Sequence, residues 1–151
     1  MAVTVKKVTL WRCEIPNKPG VLASVLEPLA AAGADLQVVM GYRYPDDKDS
    51  AAIEVYPVDG AKARKAARGA GLEPAETIVC LLVEGDNKPG LGFAIAKAIA
   101  DAGIDMGFLV AQVVGKKYSA LFGFETSKDA TRAATLIKNG LSAETPAAVI
   151  A

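Results

Sequence analysis

The tetrapeptide Asn-Lys-Pro-Gly occurs twice, at 17–20 and at 87–90, each time closing an apolar run and opening a stretch of helical periodicity. That arrangement exposes backbone N–H groups at a helix N-terminus, where the dipole favours an anion such as a carboxylate. Gly20 and Gly90 carry no side chain, so a ligand can approach the backbone closely. The same residues also serve simply to turn a strand into a helix. Histidine is absent, which removes Ser-His-Asp and Cys-His nucleophilic schemes and the commonest general base. Cys13 and Cys80 lie in apolar runs with no second Cys or His at metal-ligand spacing, and read as reduced core residues. Paired carboxylates and an activated nucleophile are also missing from the pattern. The expectation is therefore a non-catalytic chain with no metal and no cofactor.

The bulk numbers narrow the class further. The 151 residues are 52% hydrophobic and 23% charged, as in folded globular proteins. With 17 basic against 17 acidic residues, nothing in the balance favours a nucleic acid or an anionic membrane surface. Lys6 and Lys7 precede an apolar stretch that Arg12 and Glu14 interrupt before a signal-peptide core forms. No apolar run reaches the roughly 18 residues of a membrane span. A soluble, cytoplasmic protein is expected.

The elements that position the motif repeat with it. At the same offset of 70 residues that carries Asn17 to Asn87, Glu14 pairs with Glu84, Gly33 with Gly103 and Asp35 with Asp105. Toward the end the frame slips to 69, where Gly71-Leu72 matches Gly140-Leu141. Each copy reads alike. A strand-like run (Val8–Ile15; Ile78–Val83) is followed by the turn and then by one face of an amphipathic helix. The apolar positions of that face are Val21, Leu22, Val25, Leu26 and Leu29 in one copy, and Leu91, Ile95, Ala98, Ile99 and Ala102 in the other. Gly33 and Gly103 predict left-handed helix ends. Second strands (Leu36–Tyr42; Met106–Val114), polar turns (Pro45–Asp49; Gly115–Lys117) and third strands (Ala51–Tyr56; Ala120–Glu125) follow. Second helices are capped by Asp59 and by Thr126 or Ser127, the latter helix ending at Gly140. Closing strands are expected at Leu72–Thr77 and Leu141–Thr145. Pro28 stands inside the first helix, where it conflicts with the carbonyl of Ser24. The fold class is thus α+β: two ferredoxin-like βαββαβ modules in tandem, 1–75 and 76–151, with antiparallel sheets and helices on one face. Units of this size have marginal cores, so packing of the copies together or dimerisation should add stability.

In order and spacing, the pattern resembles the ACT domain family. The carrying residues are Asn17-Lys18-Pro19-Gly20 with Ala32-Gly33-Ala34-Asp35, and Asn87-Lys88-Pro89-Gly90 with Ala102-Gly103-Ile104-Asp105, so the resemblance spans nearly the whole chain twice. It implies modules packed side by side, with an amino acid bound between the first loop of one module and the second-strand start of the other. On that resemblance Asn17 and Asn87 hydrogen-bond the ligand's polar groups. The amides after Pro19 and Pro89 meet its carboxylate, while Asp35 and Asp105 face its ammonium, an arrangement a charge-assisted bond suits. The implied ligand-binding set is Asn17, Lys18, Gly20, Val21, Leu22 and Asp35, with Asn87, Lys88, Gly90, Leu91, Gly92 and Asp105. Asp35 and Asp105 also read as plain turn residues. Where some relatives carry a ligand-contacting histidine, this chain has Ile15 and Gly85. The copies differ too: Leu22 is matched by Gly92, which leaves more room for a ligand side chain.

The implied function is that of a sensor or regulatory protein, allosteric in mechanism, acting as a homodimer or through a metabolic enzyme. The alternative is a ligand-free structural module that dimerises or docks onto such an enzyme. Lys62, Arg64, Lys65 and Arg68 form a basic helix face that could touch RNA, but Ala63, Ala66, Ala67 and Ala70 mark the buried face opposite, and the aromatics Tyr56, Phe122 and Phe124 lack an RNA-binding context. An acylphosphatase-like enzyme would need Arg in the first loop, where this chain has Lys18 or Lys88.

Overall fold

A computed structural model describes residues 3–142. The described residues fold as two compact units, 9–76 and 3–8 with 77–142, so the N-terminal segment joins the second unit rather than the first. That segment is strand β1 (Val3–Val8).

The first unit contains β2 (Trp11–Pro16), α1 (Val21–Ala31), β3 (Val38–Tyr44), β4 (Asp47–Tyr56), α2 (Gly60–Gly69) and the two-residue β5 (Glu73–Pro74). The sheet order is β3-β4-β2-β5, with every pairing antiparallel. Strand alternation turns Trp11, Cys13, Ile53 and Val55 to one face, where they pack with Val25 and Leu29 of α1 and Ala63 and Ala67 of α2. Burying a side chain such as Leu29 contributes about 2 kcal/mol. The small alanines let α2 lie close while Lys62, Arg64, Lys65 and Arg68 stay exposed. Helix α1 runs on as one element across Pro28. Pro74 sits in an edge strand, where its missing N–H costs no ladder bond.

The second unit contains β1, β6 (Val79–Asp86), α3 (Leu91–Asp101), β7 (Phe108–Val114), β8 (Lys117–Phe124) and α4 (Ser127–Ser142). Its sheet order is β1-β6-β8-β7. Leu81, Val83, Phe122 and Phe124 pack there against Ile95 and Ile99 of α3 and Ala130, Ala133 and Ile137 of α4. At the helix ends the expected caps form: Gly33 and Gly103 have φ of 78° and 70°, and the following amides of Ala34 and Ile104 donate to Leu29 and Ile99 carbonyls at 3.0 and 3.2 Å. Thr126 Oγ1 accepts from the Asp129 amide at 3.1 Å and caps α4, whereas the Asp59 side chain makes no such bond at α2.

One strand differs from expectation. The place beside β6 is filled by β1, which pairs antiparallel from Val3 opposite Gly85 to Val8 opposite Cys80. Helix α4 continues through Gly140 to Ser142, and the remainder of the expected closing strand at Leu141–Thr145 lies outside the described residues. The reason is alternation: Val3 and Val5 turn to the helix-covered face, and Lys7 on that face reaches α4, its Nζ donating to Ser127 Oγ at 2.9 Å and Thr131 Oγ1 at 2.6 Å. Both cysteines lie buried in strands, Cys13 in β2 and Cys80 in β6. Among the described residues no helix is long and apolar enough to cross a membrane.

Candidate functional site

The Asn17–Gly20 turn ends β2 and starts α1, with Gly20 at φ 91° just before the first helical residue. Only glycine adopts that angle without strain. The Gly20 carbonyl accepts from Ser24 at 3.0 Å, and the Lys18 carbonyl accepts more weakly from Val21 at 3.4 Å. Asn17 is doubly held, its amide donating to Asp49 O at 2.8 Å and its Nδ2 to Lys48 O at 2.9 Å. Its Oδ1 is left as an acceptor. The held segment is a bulge: the β3–β4 ladder steps from Arg43 opposite Ala51 to Tyr44 opposite Asp47, so Lys48–Ser50 have no partner on β3.

Beside this turn lies a hollow of about 260 Å³, lined by Asn17, Val21, Leu22, residues 41–43 of β3 and residues 51–53 of β4. Gly41 and Ala51 keep its floor low, and Leu22, 42% exposed, forms a wall. Arg43 is exposed and has no ion-pair partner among the described residues, leaving its guanidinium available to an anion. The hollow thus combines apolar walls, an amide acceptor, an unpaired cation and a helix N-terminus. Chemically, that set suits a small molecule with an acid group and a hydrogen-bond donor.

Of the residues expected to bind ligand, Asn17, Val21 and Leu22 meet in this hollow, with Lys18 and Gly20 in the adjoining turn. Asp35 lies past the other end of α1, in a separate hollow of about 280 Å³ with Gly33, Ala34, Gln37, Pro57 and Asp59. One module therefore does not join Asn17 to its own Asp35. In the second module Asn87, Lys88 and Gly90 repeat the turn, with Gly90 at φ 86° and the Asn87 amide donating to Lys116 O at 2.8 Å. Asp105 is exposed in the loop after α3. Leu91 is a core residue, 2% exposed among Val83, Ile95 and Tyr118, so its side chain belongs to packing. The room expected at Gly92 is bounded by Tyr118: a methyl placed there would be in ordinary contact, 3.9 Å, with Tyr118 Oη.

The opposite sheet face of the first module carries a network that the sequence pattern did not reveal. Glu54, 6% exposed, accepts from Tyr42 Oη at 2.9 Å and lies 4.0 Å from Arg12 Nε. Arg12 also bonds Glu14 at 3.0 Å and meets Tyr44, whose Oη donates to Glu14 at 2.8 Å. Burial and the Glu54 carboxylate raise the Tyr42 pKa, while Tyr44 and Arg12 lower that of Glu14. Each charge faces an opposite charge or a phenol, the arrangement a buried carboxylate requires. The i, i+2 spacing of Arg12 and Glu14 and of Tyr42 and Tyr44 was the available signal, but joining them needs the strand register.

No sequence-family model and no curated protein matches the chain. Solved structures do. The regulatory subunit of aspartate kinase from Thermus thermophilus, in its ligand-free form, matches at a TM-score of 0.61 and 17% identity over 93% of this chain and 97% of that one. Protein BT0572 from Bacteroides thetaiotaomicron matches at 0.66 and 18% identity over 90% and 98%. The fold is that of two ACT-type modules in tandem. Aspartate kinase from Synechocystis contains a similar region, matched at 0.59 and 16% identity over 96% of this chain but 28% of that one. An ACT-type pair thus occurs both nearly alone and inside a larger protein, and in this chain the hollow lies in the first of the two modules.

Proposed function

We propose that the chain is a non-catalytic regulatory protein that binds a small amino acid at the first module's hollow. Its carboxylate meets Arg43 and the free amides at the start of α1, and its ammonium donates to Asn17 Oδ1. An aspartate of an apposed module, Asp35 or Asp105, completes the ammonium's partners. The observation that carries the reading is the hollow itself, where an unpaired Arg43 and a half-committed Asn17 stand at the edges of an apolar floor. The likeness to an aspartate kinase regulatory subunit over almost the full length of both chains supports a regulatory role through a partner enzyme. Binding that touches two modules at once would favour the arrangement in which they are apposed, which is how occupancy becomes an output.

A thermal-shift screen against the twenty amino acids tests this. A ligand that binds the native state alone raises the melting temperature with concentration, by an amount equivalent to about 2.7 kcal/mol at a hundredfold excess over Kd. A saturable shift for one amino acid or a related few is the expected result. No shift at millimolar concentration would favour the ligand-free interaction module instead. That second reading has its own support in edge strand β7, whose Leu109, Val110, Val113 and Val114 are 46–67% exposed.

A further inference from the structure

We infer that the chain carries one effector site, in the first module, and that the second module's counterpart is closed by its own tyrosine. The inference rests on the amino-acid-binding reading above and adds to it which module binds and what excludes the other.

Strand registers fix the equivalences. Pro16 pairs with Ser50 in the first module and Asp86 with Lys117 in the second, so Ala51 corresponds to Tyr118. Arg43 lies opposite Ala51, and Val113 lies opposite Tyr118. From the matching helix starts, Leu22 corresponds to Gly92.

The exchanges act together. In the first module the bulk sits on the helix, as Leu22, and the strand is kept low by Ala51, which leaves the hollow open. In the second the bulk sits on the strand. The Tyr118 side chain reaches across to the first turn of α3, its Oη 3.9 Å from where a Cβ at Gly92 would stand, so that a side chain as long as that of Leu22 would meet it there, and it is 6% exposed within the core cluster. The cation is gone as well, since Val113 stands where Arg43 does. Size and charge therefore both oppose an amino acid in the second module, and a phenol anchored in the core is not displaced by a weakly held solute.

Equilibrium dialysis of the intact chain against a uniformly radiolabelled mixture of the twenty amino acids reads the number of sites directly. The wild type should plateau at one label per chain. Ala51→Tyr with Leu22→Gly closes the first hollow and should reduce the plateau to none. Tyr118→Ala with Val113→Arg opens the second and should raise it to two. A wild-type plateau of two, or binding retained by the closed variant, overturns the inference and leaves amino-acid binding standing. A plateau of one in a folded opened variant removes Tyr118 as the closure. Should that variant fail to fold, the wild type and the closed variant still decide. No label retained by the wild type overturns the binding reading and this inference with it.

Discussion

Tyr118 does two things that can be separated by pH. Burial raises its pKa above the ordinary 10.0, because the ionised phenolate would lose its water. As pH rises past 10.0, the unfolded chain therefore gives up this proton while the folded chain keeps it. The folded state then binds more protons than the unfolded one, so stability falls with pH. Tyr118→Phe keeps the ring and removes the titration. Its stability, measured by urea titration between pH 9 and 11, should decline less steeply than the wild type's, by up to about 1.4 kcal/mol per pH unit. Equal slopes would show that the phenol is solvated in the folded chain. Tyr42, Tyr44 and Cys13, whose pKa values burial also raises, add to the remaining decline.

Single elements carry packing that one methyl would upset. Gly123 of β8 lies opposite Phe108 of β7, and a Cβ at Gly123 would run into the Phe108 ring. Gly123→Ala must push the ring off the strand, at a cost of about 1–3 kcal/mol seen as a lowered melting temperature. Phe108→Ala in the same chain should make Gly123→Ala nearly neutral, a coupling that a double-mutant cycle measures. At this scale much was legible in the sequence. The turns at Gly20 and Gly90, the glycine helix ends and the apolar faces of α1 and α3 follow from residue type and period alone. What was not legible depends on pairing between strands. The bulge at Lys48–Ser50 breaks the offset of 70, so Ala51 and Tyr118 do not fall in line until the register is known. Strand β1 was hidden because Val3 and Val5 alternate with polar residues over only six positions, and the adjacent charges Lys6 and Lys7 break the apolar pattern before Val8. The Glu54 network failed to show for the same reason as the bulge: its members lie on three strands.

Across the whole molecule, the first module is an insertion between two paired strands of the second. Its own ends are also paired, the Ala75 amide donating to Leu10 O at 2.7 Å. The chain leaves the second module at Val8, opposite Cys80, and returns at Thr77. Deleting 9–76 and joining Val8 to Thr77 would leave Thr77, Ile78 and Val79 as a three-residue hairpin connection, a common length. That shortened chain should fold and melt cooperatively by circular dichroism. Residues 76–151 alone lack β1 and the burial of Val5, worth about 2 kcal/mol, and should melt roughly 10 °C lower or not fold. Equal melting of the two would mean that β1 contributes nothing to the second module.

The same insertion sets an order in time. On the ribosome β1 is made first, yet its partner β6 follows only after the entire first module, residues 9–76, has been translated. The first module can fold as it emerges, since all of its strands are local to it. Strand β1 must meanwhile wait with both edges unpaired, the state in which a strand is most prone to join the wrong neighbour. Lys6 and Lys7, adjacent in that strand, put like charge on both of its faces. A strand whose residues look too charged to belong to a sheet is thereby suited to the interval it spends outside one.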